Sequence, residues 1–189
     1  RMRTISLIIL YTALIAGANT ALAENSNISA LNQLRQGDMQ KLVLHTEPKR
    51  VSNIPFLTEN GAEKTLDDYK GRYVLVNFWA TWCAPCRAEM PSLSTLQSTI
   101  GGSDFSVVTI ATGRNTPAAI DKFFAEIGIG NLPTYRDPKQ KLARSMAVLG
   151  LPASILISPD GHEIGRLLGD ANWSDASALA LLSSWIEQD

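Results

Sequence analysis

The stretch Val74-Leu-Val-Asn-Phe-Trp-Ala-Thr-Trp-Cys-Ala-Pro-Cys-Arg-Ala-Glu-Met-Pro91 decides how this chain is read. It opens as an apolar, β-like run and passes directly into Cys83 and Cys86, spaced Cys-x-x-Cys, before a helical-looking segment. These are the only 2 cysteines in 189 residues. The pattern places a dithiol where a buried strand hands over to a helix.

Cys83 falls at the first turn of that helix. Free backbone N–H groups and the helix dipole there favour a thiolate over a thiol. Cys86, one turn further, lies on the same face and within reach. Pro85 between them fixes one φ angle and removes a backbone donor. Such a pair opens and closes by exchange, with Cys83 attacking and Cys86 resolving the mixed disulfide. Two other uses of the pair stand beside this one. A zinc site wants two more Cys or His ligands, and His45 and His162 lie in separate loops, His45 reading as a surface residue. A static disulfide across two residues closes a tiny loop and adds little by loop entropy. Phe78 and Trp79 read as core. Trp82 is a platform beside the nucleophile or a packing residue, and Thr81 reads as a helix cap.

Outward from this stretch, the chain alternates elements. Arg1 and Arg3 precede a nearly continuous apolar run, Ile5 to Ala18, and Ala21-Leu22-Ala23 fits a small-x-small cleavage site. Counted through Ala23, the segment also has the length to span a bilayer. Either as a leader or as an anchor, it sends the globular part out of the cytoplasm. Glu24 to Asn27 is polar. Ile28, Leu31, Leu34, Met39, Leu42 and Val43 have helical spacing, broken at Gly37. Asn60-Gly61 marks a hairpin, and Leu66 to Gly71 reads as one helical turn closed by glycine. A strand covers Tyr73 to Trp79. After Pro91, Leu93, Leu96 and Ile100 continue a helical stripe up to Gly101-Gly102. Phe105 to Ala111 is a β-branched strand, and Pro117 to Ile127 an amphipathic helix. Leu132 to Pro138 is extended, and Lys139 to Val148 a short helix. Ala153 to Ile157 and Glu163 to Leu168 form a hairpin around the Ser158–Gly161 turn, and Ser174 to Glu187 is a final helix. This is an α/β layer pattern with parallel strands joined by a helical crossover.

Composition narrows the class. The length suits one domain of about 140–160 residues plus a tail. The net charge is −1, and without Arg1 and Arg3 it is −3, so no basic stripe points to nucleic acid.

The run Phe78 to Cys86 resembles the active site of the thioredoxin superfamily. Gly150-Leu151-Pro152 resembles that family's cis-proline loop, which makes Pro152 the expected cis-proline. The resemblance covers about residues 50–189. It is nearest to the periplasmic TlpA/ResA-like branch, in the Cys86-Arg-Ala-Glu-Met-Pro91 run, in the extra length around Arg114 to Asp137, and in the apolar N-terminal segment. The lead-in at Ile28–Pro48 and the run Gly165 to Gly169 most resemble TlpA-type members. It implies a thioredoxin-like α/β fold: a central mixed sheet flanked by helices, with an N-terminal extension and an inserted element before the cis-proline loop. The implied organisation is a leader or anchor over 1–23, a polar spacer with a short helix over 24–50, and a thioredoxin-like domain over 51–189.

One departure from the family is informative. Thioredoxin proper carries a buried Asp six residues before its first cysteine, and here that position is Asn77. Glu89, one turn beyond Cys86, is the available ionisable residue. The resemblance to ResA-like proteins gives it the second thiol's proton, with a raised pKa from desolvation and thiolate charge. Its alternative is a solvated helix face. Leu151 and Pro152 would offer a backbone edge to an extended substrate.

The Ala84-Pro85 dipeptide contains no cation to stabilise a thiolate, which points to a reducing couple rather than a strong oxidant. The resemblance then implies a reductant of protein disulfides, re-reduced by a membrane thiol donor. It acts as a monomer, with no cofactor beyond the two sulfurs and no bound metal. The favoured substrates are a copper-delivery protein or the copper-bearing subunit of an oxidase. The runner-up is apocytochrome c before haem attachment. A different class, a copper-binding chaperone, would use Cys83 and Cys86 as soft ligands with His162 as the late candidate.

Overall fold

The computed structural model describes residues 28–187. The leader or anchor expected over 1–23 lies outside the described residues. Among those described, no helix is long and apolar enough to cross a membrane.

One eight-stranded sheet organises the fold, in the order β1-β8-β7-β4-β5-β6-β2-β3. Its strands are β1 (Val43–Arg50), β2 (Phe56–Leu57), β3 (Glu63–Lys64), β4 (Tyr73–Trp79), β5 (Phe105–Thr112), β6 (Tyr135–Asp137), β7 (Ala153–Ile157) and β8 (His162–Leu168). The helices are α1 (Ala84–Ile100), α2 (Pro117–Glu126), α3 (Lys141–Ser145) and α4 (Ala176–Ile186). β4 runs parallel to β5 and antiparallel to β7. The crossovers β4-α1-β5 and β5-α2-β6 join parallel pairs, as a helical return requires.

Every residue of β4 is buried, because both faces of the sheet are covered. Tyr73, Leu75 and Trp79 pack with Met90, Leu93 and Leu96 of α1 and with α2 and α4. Val74, Val76 and Phe78 pack on the other side with Leu142 and Ala143 of α3, Phe56, Leu66 and Tyr69. Trp79 stacks on Phe124 with ring centroids 5.5 Å apart, which pins α2 over the strand end that carries the dithiol.

The elements from Asn60 onward fall where the sequence puts them, with shorter bounds for α3. The lead-in differs. Helical spacing holds over 28–33, then gives way to a 3-10 turn, Gly37–Lys41, with Gly37 at φ +54°. The helix ends before Gly37, whose positive φ, a conformation glycine adopts without β-carbon strain, opens the 3-10 turn. Val43–Arg50 is then a strand, not the end of a helical stripe, and it pairs antiparallel with β8. The sequence hides it because most of its residues face solvent and show no alternation. Leu31, Met39 and Leu42 are core residues, so the sheet and core extend across the boundary expected at residue 50.

β8 carries one extra residue against β7: Leu156 pairs with Gly165 and Ile157 with Glu163, leaving Ile164 between. This bulge brings Glu163 and Arg166, three apart, onto one face of the strand.

Candidate active site

Cys83 and Cys86 are joined as a disulfide, with Cα atoms 5.3 Å apart. Cys83 is the N-cap of α1 rather than a residue of its first turn, with extended backbone at φ −90° and ψ 105°. Its sulfur accepts the N–H of Cys86 at 3.3 Å. The sulfur therefore sits where a serine or aspartate oxygen would cap a helix, and the N–H that satisfies it also favours its anion. Thr81 does not cap. Its N–H and hydroxyl both donate to Asn115 Oδ1, at 2.8 and 2.9 Å, while Asn115 Nδ2 donates to the carbonyl of Thr112 at 2.8 Å. Asn115 thus fastens the turn before Cys83 to the end of β5.

Burial separates the two sulfurs. Cys83 keeps 6% exposure and Cys86 none. Trp82, 64% exposed, projects beside Cys83. Trp82, Cys83, Pro85, Leu149 and Leu151 line one cleft of about 560 Å³. The Leu151-Pro152 bond is cis, as the sequence implied. Pro152 itself is buried behind the cleft, and Leu151 supplies its wall. Thr112 also lines this cleft, and its buried hydroxyl has no hydrogen-bond partner among the described residues.

Glu89 is not on that cleft. It is 4% exposed, on the α1 side of the sheet, and borders a second cleft with Asp38, Ser92, Asp170 and Asn172. Asn77 Nδ2 donates to Glu89 Oε1 at 2.8 Å and to Ser154 Oγ at 3.0 Å. Glu89 Oε2 accepts the N–H of Ala171 at 3.2 Å and the indole N–H of Trp173 at 3.3 Å. Burial pushes its carboxyl up to about 7; these three donors oppose the rise and the charge of Asp170 adds to it. The expectation of a raised pKa is met in this disulfide state by desolvation, without any thiolate.

Asn77, where thioredoxin has an acid, is thus the hydrogen-bond partner of Glu89. An amide suits both states of Glu89: its N–H₂ donates to the carboxylate, and after a flip its carbonyl accepts from the carboxylic acid. Asn77 Oδ1 is buried and unpartnered among the described residues, and that flip would satisfy it.

His45 is half-buried, contrary to its expected surface role. Its Nε2 lies 2.7 Å from Glu163 Oε1. Arg166 grips the same carboxylate through Nε at 2.6 Å and Nη2 at 2.7 Å, and Nη2 also donates to the carbonyl of Met146 at 3.0 Å. Burial would raise the Glu163 carboxyl, but the bonds and charges of Arg166 and His45 hold it below its ordinary value. The group ties β1 and β8 to the loop leading to Leu149–Leu151. Asn115, Trp173 and this group carry no sequence signal: each lies in a connection or an exposed-looking strand. His162 bonds Asp160 through Nδ1 at 2.8 Å. β8 begins at His162, beside the Ile157–Val74 pair, so His162 is at the opposite end of β4 from the dithiol.

Residues 49–162 match the AhpC/TSA family. The chain is 30% identical over 122 residues to the thiol-disulfide oxidoreductase ResA of Bacillus thuringiensis, covering 65% of this chain and 69% of that protein. It is 33% identical over 112 residues to the thiol:disulfide interchange protein HelX of Rhodobacter capsulatus, covering 58% and 61%. A solved structure from Chlorobium tepidum, described as a thiol:disulfide interchange protein DsbE, superposes with a TM-score of 0.63 at 25% identity, covering 77% of this chain and 99% of that one. With the strand-to-helix disulfide and the cis-proline loop on one sheet, the chain belongs to the AhpC/TSA family and is a thiol-disulfide oxidoreductase of the thioredoxin superfamily.

Proposed function

We propose that the protein reduces disulfides in other proteins outside the cytoplasm, with Cys83 as nucleophile, Cys86 as resolving thiol and Glu89 as proton partner. The observation that carries this is the unequal burial of the pair, since only Cys83 meets the cleft walled by Trp82 and Leu151. In the reduced protein the Cys83 thiolate attacks one sulfur of the substrate disulfide. A Cys83–substrate bond forms, the substrate S–S bond breaks, and the second substrate sulfur leaves as a thiolate. Cys86 then loses its proton toward Glu89 and attacks Cys83 Sγ. The substrate's first sulfur is released, and the disulfide seen here is re-formed. Two electrons pass to the substrate, whose thiolates take up the two protons the dithiol gives up. The cycle needs re-reduction by a thiol donor, and the family resemblance supports a membrane protein in that role.

The reducing direction is supported by Ala84-Pro85 and by Arg87, whose guanidinium lies 4.6 Å from the centre of the Phe123 ring. That cation is engaged on α2, not aimed at the sulfurs. Extracytoplasmic placement is supported by the apolar run Ile5–Ala18.

Of the two substrate classes, the haem-attachment cysteines of apocytochrome c, which the ResA-like resemblance implies, are favoured by the match to a protein named ResA. The copper-site cysteines first expected rest on the TlpA-like run Gly165–Gly169, in which Arg166 holds the loop carbonyl of Met146. The copper-carrier reading loses its third ligand, because His162 is at the far end of the sheet.

Trapping tests the proposal. Cys86→Ser leaves Cys83 unable to release its partner, and the proteins joined to it are identified after non-reducing separation. Apocytochromes support the favoured class and copper-handling proteins the other. Absence of any Cys83-dependent adduct, together with no disulfide reduction by the unmutated dithiol, would sink the reductase reading.

A further inference from the structure

The cleft beside Cys83 continues into a second one of about 680 Å³, and the two share Trp82, Gln140 and Arg144. The second is lined by Arg114, Lys139 and Arg144, all exposed. They come from the β5–α2 loop, the β6–α3 turn and α3. No acidic side chain lines this cleft. Arg144 donates to the neutral Gln140 side chain at 3.0 Å, and among the described residues none of the three cations forms an ion pair. The nearest acid in sequence, Asp137, is 3% exposed and turned inward, accepting the N–H groups of Lys141 and Ala143 at 2.9 Å each. In a chain of net charge −1, three unopposed cations around one hollow are a local feature. Gly113, at φ +79°, keeps the hollow's floor low: a β-carbon there would meet Gln140 Nε2 at 2.9 Å.

We propose that this basic cleft selects substrates in which acidic residues flank the reactive cysteine. The inference rests on the exchange reading of the dithiol and names the chemistry of the chain that reaches it. An extended segment lying along Leu151 and over Trp82, with its sulfur at Cys83, places its next few residues in the cleft. Cations lining a cleft continuous with the one at Cys83 raise the local concentration of an acidic segment and hold it there. They also favour the substrate thiolate that leaves.

The test uses three peptides, each with one cysteine in mixed disulfide with 2-mercaptoethanol, flanked by Asp and Glu, by Asn and Gln, or by Lys. The second-order rate constant with the reduced protein is measured for each. The acidic peptide is expected to react about tenfold faster than the neutral one at low ionic strength, and the lysine peptide more slowly than either. The acidic-to-neutral ratio should fall toward one above about 0.5 M salt and in the triple variant Arg114→Gln, Lys139→Gln, Arg144→Gln. The ratio is internal to each protein preparation, so a small loss of active fraction does not affect it. Equal rates for the three peptides with the unmutated protein, or a ratio that survives the triple substitution, overturn the proposal while leaving the exchange reading intact. A charge effect confined to glutathione disulfide and absent from the peptides also overturns it, assigning the cleft to a small anionic disulfide. No reaction with any peptide would remove the exchange reading itself.

Discussion

The indole Nε1 of Trp173 lies 3.3 Å from Glu89 Oε2, joining a tryptophan from the loop before the last helix to the acid one turn beyond Cys86. Trp173 is fully buried, so this N–H has no competing water. Its bond is made to the charged form of Glu89 and opposes the rise caused by burial. Trp173→Phe keeps most of the ring and removes the donor. A hydrogen bond to a charged group contributes about 1.5–3 kcal/mol. The carboxyl midpoint should therefore move upward from about 7, by about one to two units. Infrared titration of the carboxylate band in the oxidised protein reads it directly, and an unmoved midpoint would show that Ala171 and Asn77 suffice.

Glu89 also makes stability depend on pH. Its folded pKa of about 7 is above its ordinary 4.5, so the folded state holds the proton more tightly than the unfolded chain. The stabilisation is complete below about pH 4.5, declines as pH rises toward 7, and does not change further above that. At about 1.4 kcal/mol per unit, the decline is about 3 kcal/mol. Denaturant unfolding at pH 5 and pH 8 should show this loss in the oxidised protein and lack it in Glu89→Gln. The difference between the two proteins is the quantity to compare, because Glu163, Asp38 and Asp160 have lowered values and act in the opposite sense at lower pH.

The same substitution addresses exchange. Glutamine cannot take the Cys86 proton, so resolution of the mixed disulfide should slow about 100-fold. The dependence on a group titrating near 7 should vanish with it. Attack by Cys83, measured as loss of its thiol to a small disulfide, should change far less. If both steps slow equally, Glu89 acts on the fold of the site rather than on the second thiol.

Asn115 is 7% exposed and held by three hydrogen bonds. Asn115→Ala leaves the Thr81 N–H and the Thr112 carbonyl without it, at a cost of about 2–3 kcal/mol. Amide exchange at Thr81 and Trp82 should quicken more than in the core strands. Uniform exchange changes would mean that the turn is held by α1 alone.

Arg166 joins the Glu163 carboxylate on its own strand to the carbonyl of Met146, just past α3. Arg166→Gln leaves a buried carboxylate short of its main partner, an error worth about 3 kcal/mol. It should also loosen Ala147–Leu151, seen as faster exchange there and a weaker affinity for peptide substrates. Retention of both would confine Arg166 to the sheet edge.

The sheet centre and the dithiol were legible in the sequence because they obey short-range rules. β4 is an uninterrupted apolar run, and Cys83-Ala84-Pro85-Cys86 opens a helix. Glu89 was legible as an ionisable residue one turn past Cys86. What holds it was not, since Trp173 and Ala171 lie more than 80 positions on and their contacts depend on how the last helix docks. β1 escaped notice for a different reason: five of its residues from Thr46 to Arg50 are exposed, so burial imposed no pattern on them. The His45–Glu163–Arg166 group follows from that missed pairing and from the bulge at Ile164, neither of which leaves a local signature.

β1 closes one margin of the sheet with Pro48, charged neighbours and a broken register, and β3 closes the other with two residues. A proline without an N–H and a strand too short to template pairing both discourage a foreign strand from joining. On the proposed reading, clients that are still unfolded would present extended chains prone to add to any open ladder. With both rims inhospitable, such a client would find backbone partners at the Leu151 turn, next to Cys83, and little elsewhere to detain it. Blunted edges would thus help direct a sticky client to the sulfur and let it leave once its disulfide is open.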